Sequence, residues 1–177
     1  ALVALGIIDY YENPLRDFKR IRPAEERVRD VLSRKEAKRL LMTPNENMIL
    51  GIRDKAIMLL LYSTGIRASE CVGLKNKDVD LEGHQITVMG KGQKERVVPL
   101  SAEAVKYLKK YVQARGEGAK LASFFVTRVK RGITRKGIYD RIKKYVGLAK
   151  INKVAEFPLW VPGDFLKGDR PESLLAS

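Results

Sequence analysis

Apolar residues recur at helical spacing along most of this chain, and the period shortens to two in a single central stretch. Leu32-Ser33-Arg34-Lys35-Glu36 reads as a capping box, with Ser33 as N-cap and Glu36 three residues on, and it predicts a helix that Thr43-Pro44 stops. A second helix is predicted from about Asn47 to Ser63, where Ile49, Ile52, Ala56, Leu59 and Leu60 recur at helical spacing and Gly65 ends the run. A short helix, Ala68 to Leu74, follows. From Asp78 the alternation of Val79 and Leu81, Ile86 and Val88, and Val97 to Leu100, broken at Glu82-Gly83-His84 and at Gly90 to Lys94, predicts a three-stranded antiparallel meander. Ser101 then caps a helix with Val105, Leu108 and Val112 on one face, ending near Gly116. Phe124-Phe125-Val126 is a short buried run, and Thr134 to Ala149 reads as a final amphipathic helix with Ile138, Ile142 and Val146 inward. The fold class is therefore α+β, mainly helical with one three-stranded antiparallel sheet.

Composition adds a partner. The 177 residues hold 35 lysines and arginines against 21 acids, a net charge of +14, which favours a polyanion, nucleic acid before an anionic membrane. RNA is the weaker choice, because no stacking-aromatic platform is visible. The single cysteine, Cys71, cannot pair internally and lies in an apolar helical context, so it reads as buried and inert in a reducing, cytoplasmic protein. The apolar start, Ala1 to Ile8, lacks a basic leader and runs into Asp9-Tyr10-Tyr11-Glu12, so it reads as the end of a helix. Asn13-Pro14 and a linker with Arg16, Lys19, Arg20 and Arg22 lead to Pro23. The longest later apolar run, Ala56 to Tyr62, is too short to span a bilayer.

Two basic residues in glycine-punctuated loops carry the chemistry. Arg67, in Thr64-Gly65-Ile66-Arg67-Ala68-Ser69-Glu70, follows a helix-terminating glycine at the start of the next helix, where unpaired N–H groups favour an anion. Its guanidinium suits two phosphate oxygens at once, and Glu70 is placed to brace it. The plain alternative is an arginine paired with Glu70 on a solvated face. Lys91 stands between Gly90 and Gly92 at a hairpin tip, a finger suited to a DNA groove; the plain alternative is an exposed turn lysine. Protonating a departing oxygen would require neighbouring arginines to lower its pKa.

The ordered series of helix, Thr-Gly-Ile-Arg-Ala-Ser-Glu, short helix, Asp78-Val79-Asp80, hairpin, Gly-Lys-Gly-Gln-Lys-Glu-Arg-Val-Val-Pro-Leu and helix resembles the catalytic domain of tyrosine recombinases, the phage integrase family, and especially its Xer-like members. The resemblance runs from about Ser33 to Lys153. It implies that Arg67 is the first catalytic arginine, Glu70 its supporting acid and Lys91 the hairpin lysine. It also implies a reaction in which a tyrosine breaks one DNA strand, holds a 3′-phosphotyrosyl link and rejoins to another strand, with no metal or other cofactor. Residues 1–22 are similar to the end of the family's core-binding domain and its linker, 23–153 to the catalytic domain, and 154–177 form a divergent tail. The DNA-binding residues expected are Lys94, Arg96, Arg131, Arg135, Lys136, Arg141, Lys143 and Lys144, the stretch from Arg135 resembling the helix that the family lays against DNA.

The chain departs from the pattern after Lys153. Residues 120–153 hold eleven lysines and arginines against Asp140 alone, whereas 154–177 turn acidic and hold three of the seven prolines. No His-x-x-Arg follows, the only histidine is His84, and no tyrosine lies beyond Tyr145. Trp160 is hemmed by prolines and Arg170 lacks a histidine, so neither is expected to substitute. The expectation is a truncated recombinase-like domain that binds double-stranded DNA and does not cleave it alone, its tail a shifted frame or foreign join. Completion in trans by other recombinase subunits, and an architectural or regulatory DNA-binding role without catalysis, stay open. Because the family exchanges C-terminal segments to form tetramers, a monomer in solution is expected.

Overall fold

The computed structural model describes residues 32–90, 92, 94–116 and 123–152. The expected elements are there in the expected order: α1 (Arg34–Leu41), α2 (Ile49–Thr64), α3 (Ala68–Gly73), β1 (Val79–Asp80), β2 (Gln85–Met89), β3 (Glu95–Pro99), α4 (Ala102–Arg115) and α5 (Arg135–Leu148). Ends are set locally. Ser33 and Glu36 form the reciprocal capping box of α1, and the hydroxyls of Ser101 and Thr134 accept from Ala104 and Gly137 at the starts of α4 and α5. Gly65, at φ 65°, closes α2 in the left-handed region that glycine enters without strain.

The sheet is a meander in the order β1-β2-β3, antiparallel throughout, with Val79 opposite Ile86 and Thr87 opposite Val97. Ile86 and Val88 point into the core while their neighbours on β2 do not, so the period-two pattern marks a sheet covered on one face. A 3-10 turn at Asn76–Asp78, which periodicity did not predict, leads into β1.

Helix α2 is the centre of the molecule, with α4 packed along it and α5 and α3 against it. It is buried nearly all round from Gly51 to Leu61. Ile49, one of the apolar residues at helical spacing, is 53% exposed, because the first turn of α2 precedes the packed part of the helix. Charged residues enter this core. Arg53, Asp54 and Lys55 are all buried, which is tolerable only with full pairing. Asp54 Oδ1 accepts from Arg53 Nε at 2.9 Å and Nη2 at 2.6 Å, and its Oδ2 accepts from the Tyr145 hydroxyl at 2.9 Å. Arg53 Nη1 donates to the Val126 carbonyl at 2.8 Å. The network thus ties α5 and the 123–133 segment to the central helix. Lys55 donates to Glu46 at 2.5 Å, and Glu46 also accepts from Lys110 and the Tyr107 hydroxyl.

Cys71 is buried, as expected, and burial pushes its thiol well above the ordinary range. Among the described residues no helix is long and apolar enough to cross a membrane. Residues 1–22, the tail 154–177 with Trp160 and Arg170, and Lys120 and Lys153 lie outside the described residues.

Candidate active site and nucleic-acid interface

Arg67 is presented by a loop whose geometry α2 and α3 dictate. Thr64 Oγ1 donates back to the Leu60 carbonyl at 2.5 Å, Gly65 reverses the chain, and Ile66 is buried as the anchor. Arg67 then sits as the extended N-cap residue of α3, with its side chain 72% exposed. Its backbone N–H donates to Glu70 Oε2 at 2.8 Å, the local half of a capping box.

Glu70 is the buried acid of the site. It receives Arg96 Nη1 and Nη2 at 2.9 Å each and a longer 3.4 Å contact from Arg67 Nη1. The hydrogen bonds from the Arg96 guanidinium hold its carboxyl below the usual carboxylate range, against the opposing effect of burial, with help from the Arg67 N–H. Glu70 is therefore ionised at neutral pH, and Arg96 is bound to it rather than standing alone on the hairpin.

Across from Arg67 lies the start of α5. The two segments line a cavity of about 490 Å³, floored by Leu61, Ile66 and Ile138 and rimmed by Arg67, Arg135, Lys136 and Tyr139. Residues 68 positions apart in sequence thus converge on one concave, cationic surface. Arg135 is exposed; Lys136, also exposed, makes a 3.6 Å pair with Asp140. Lys143 and Lys144 are exposed further along α5. Arg141 is half-buried with Nε 3.9 Å from Asp54, directed toward the core network.

The hairpin closes with the Gly90 N–H donating to the Lys94 carbonyl at 2.8 Å, and Gly92 takes φ 77°. Lys94 is exposed. Lys91 lies outside the described residues. Arg131 is exposed on a tight turn where Thr127 bonds Arg131 through both its backbone and its hydroxyl. The same turn carries exposed Arg128 and Lys130, which the sequence reading left out of the site. The signal was present in Thr127-Arg128-Val129-Lys130-Arg131-Gly132, three basic residues in a turn-forming stretch.

Known proteins share this fold. The model of the phage integrase family matches residues 30–158. The tyrosine recombinase XerD of Yersinia pestis is 41% identical over 125 residues, covering 68% of this chain and 42% of its own. The crystal structure of XerA recombinase superposes with a TM-score of 0.62 at 31% identity, covering 70% of this chain and 44% of that one. The XerH site-specific recombinase bound to palindromic difH substrate, a post-cleavage complex, shares the fold with a TM-score of 0.58 at 24% identity, covering 70% of this chain and 37% of that one. The chain spans about 29–52% of the length of the curated relatives it matches. With the matched segment extending over most of the chain and the helix, hairpin and arginine loop in the family's order, this chain belongs to the phage integrase family.

Proposed function

We propose that this chain binds duplex DNA as the catalytic-domain scaffold of a site-specific recombinase, with Arg67 holding a backbone phosphate and Lys91 reaching the same strand from the hairpin. The observation that carries this reading is the convergence of Arg67 with Arg135 and Lys136 on one cavity rim. Guanidinium and ammonium groups gathered on a concave face suit a phosphate backbone. In this reading the exposed Lys94, Arg131, Lys143 and Lys144 extend that surface, joined by Arg128 and Lys130. Arg96 and Arg141 contribute less to it, because their own bonds run inward to Glu70 and Asp54.

In this reading Arg67, braced by Glu70, stabilises charge on a phosphorane as a tyrosine attacks. The 177 residues hold no His-x-x-Arg and no tyrosine after Tyr145. We infer that cleavage takes its second arginine and its nucleophile from outside these 177 residues, whether further along one polypeptide or on a partner subunit. Residues 1–22 are read as the end of a preceding DNA-clamping domain and its linker.

The test is covalent capture on nicked, recombination-site-like duplex DNA. This chain alone is expected to bind, with affinity falling steeply as salt rises, and to form no denaturation-resistant protein–DNA band. A band from the chain alone would overturn the inference and direct attention to Tyr139, which lines the Arg67 cavity. A band on adding an intact recombinase would favour completion by a partner. A monomer is expected by light scattering, and a stable tetramer would contradict it.

A further inference from the structure

Glu70 is bonded to two arginines that are not equivalent. Arg96, on β3, sets its two Nη atoms against the two carboxylate oxygens at 2.9 Å each, a bidentate fork. Arg67 gives the acid its backbone N–H, and its guanidinium only a 3.4 Å contact. Arg96 thus satisfies the carboxylate, and the Arg67 side chain stays 72% exposed with most of its donors unspent. Arg96 also touches the base of the hairpin. A Cβ built on Gly90 would meet Arg96 Nη1 at 3.2 Å, so the guanidinium lies close against this glycine. One side chain therefore bridges the segment that carries Arg67 and the segment that carries Lys91.

We propose that Arg96 is a positioning residue: by occupying Glu70 it keeps the Arg67 guanidinium available to a phosphate and fixes the hairpin base beside it. This rests on the reading of Arg67 as a phosphate ligand. The two arginines compete for one carboxylate. The Glu70 side chain is 5% exposed, and a buried carboxylate stripped of its fork must find another cation. Arg67 is already within 3.4 Å, so it closes onto Glu70 and withdraws its donors from solvent. An arginine forked on a carboxylate offers DNA little net charge. The loss caused by removing Arg96 is then felt at Arg67, and lysine cannot restore the arrangement because one ammonium does not span both oxygens.

The experiment is a double-mutant cycle on duplex-DNA affinity with Arg67→Ala, Arg96→Gln and the double variant, read by fluorescence anisotropy. Losing one phosphate contact near 0.15 M salt corresponds to about a fivefold fall in affinity. Arg67→Ala and Arg96→Gln are each expected to show it, and the double variant is expected to fall no more than about twofold further. The Arg67 Nε–Hε resonance is expected to move in Arg96→Gln, which a merely structural role would not require. Arg96→Lys, which keeps a positive charge at the site, repeats the cycle should Arg96→Gln unfold. Losses that multiply in the double variant, or an unmoved Arg67 resonance, would overturn the proposal while leaving Arg67 a phosphate ligand. No effect of Arg67→Ala on affinity would overturn that underlying reading and the proposal with it.

Discussion

The substitution Asp54→Asn probes what holds the basic helix α5 in place. Asp54, its side chain 2% exposed, accepts two bonds from Arg53 and one from the Tyr145 hydroxyl, and Arg53 is itself 3% exposed. Asparagine keeps the volume and one acceptor but removes the charge, leaving the Arg53 guanidinium buried with the Val126 carbonyl as its other partner. Removing one member of a buried pair costs about 3–5 kcal/mol, chiefly because the remaining charge stays desolvated. The acceptor that asparagine retains points to the lower end, about 3 kcal/mol, or a roughly hundredfold shift toward the unfolded state at about 1.4 kcal/mol per tenfold. For a chain of this size that corresponds to a fall in Tm of roughly 6–12 °C. Urea denaturation followed by circular dichroism measures it, with the midpoint moving and the slope unchanged. Tyr145→Phe, which deletes one donor to the same carboxylate, should cost about 1–2 kcal/mol, and the double variant should cost less than the two together. A loss below about 1 kcal/mol for Asp54→Asn would refute the view that this network is desolvated and carries α5.

Three further outcomes are expected. Burial would raise the Glu46 carboxyl, but hydrogen bonds from Lys110, Lys55 and Tyr107 outweigh it and hold the group at about 2. Because the folded value lies below the unfolded one, this stability is present above the ordinary carboxylate range and is lost as pH falls from about 5 toward 2; thermal melts should show Glu46→Gln to be less stable at neutral pH and less acid-sensitive than the parent. Alanine favours a helix over glycine by about 1 kcal/mol, yet Gly51→Ala should destabilise, since its Cβ would lie 1.9 Å from the Asn45 carbonyl oxygen. Gly147→Ala, with nothing within 4 Å of its Cβ, should stabilise; equal melting shifts for the two would contradict the packing argument. Neutralising Arg128, Lys130 and Arg131 together should lower the slope of log affinity against log salt by about 2–3, whereas an unchanged slope would remove this turn from the DNA surface.

What was legible in the sequence was local. The capping box at Ser33, the cap at Ser101 and the helix-ending Gly65 are interactions over a few residues, so composition and spacing reveal them. The meander was legible for the same reason, since a period of two and short glycine-bearing turns leave few other pairings. Ile49 misled because periodicity reports that a residue is apolar, while its exposure depends on where α4 and α5 stop covering the helix. No local pattern marked Arg53, Asp54 and Lys55 as buried, because Val126 and Tyr145, which pair the first two, come from distant segments, and Glu46, which pairs Lys55, lies before the helix.

The sequence by itself determined the element order, the helix ends and the two glycine-framed basic residues, Arg67 and Lys91, that marked a recombinase-like scaffold. Tertiary structure decided which arginine is free. Arg67 and Arg96 are the same chemical group on a strongly basic chain, yet packing the sheet against α3 through β2 forks Arg96 onto Glu70 and leaves Arg67 exposed on a cavity shared with α5. The physical reason is that one buried carboxylate is satisfied by a single bidentate guanidinium, and which one it takes is set by the approach of two backbones that no local pattern encodes.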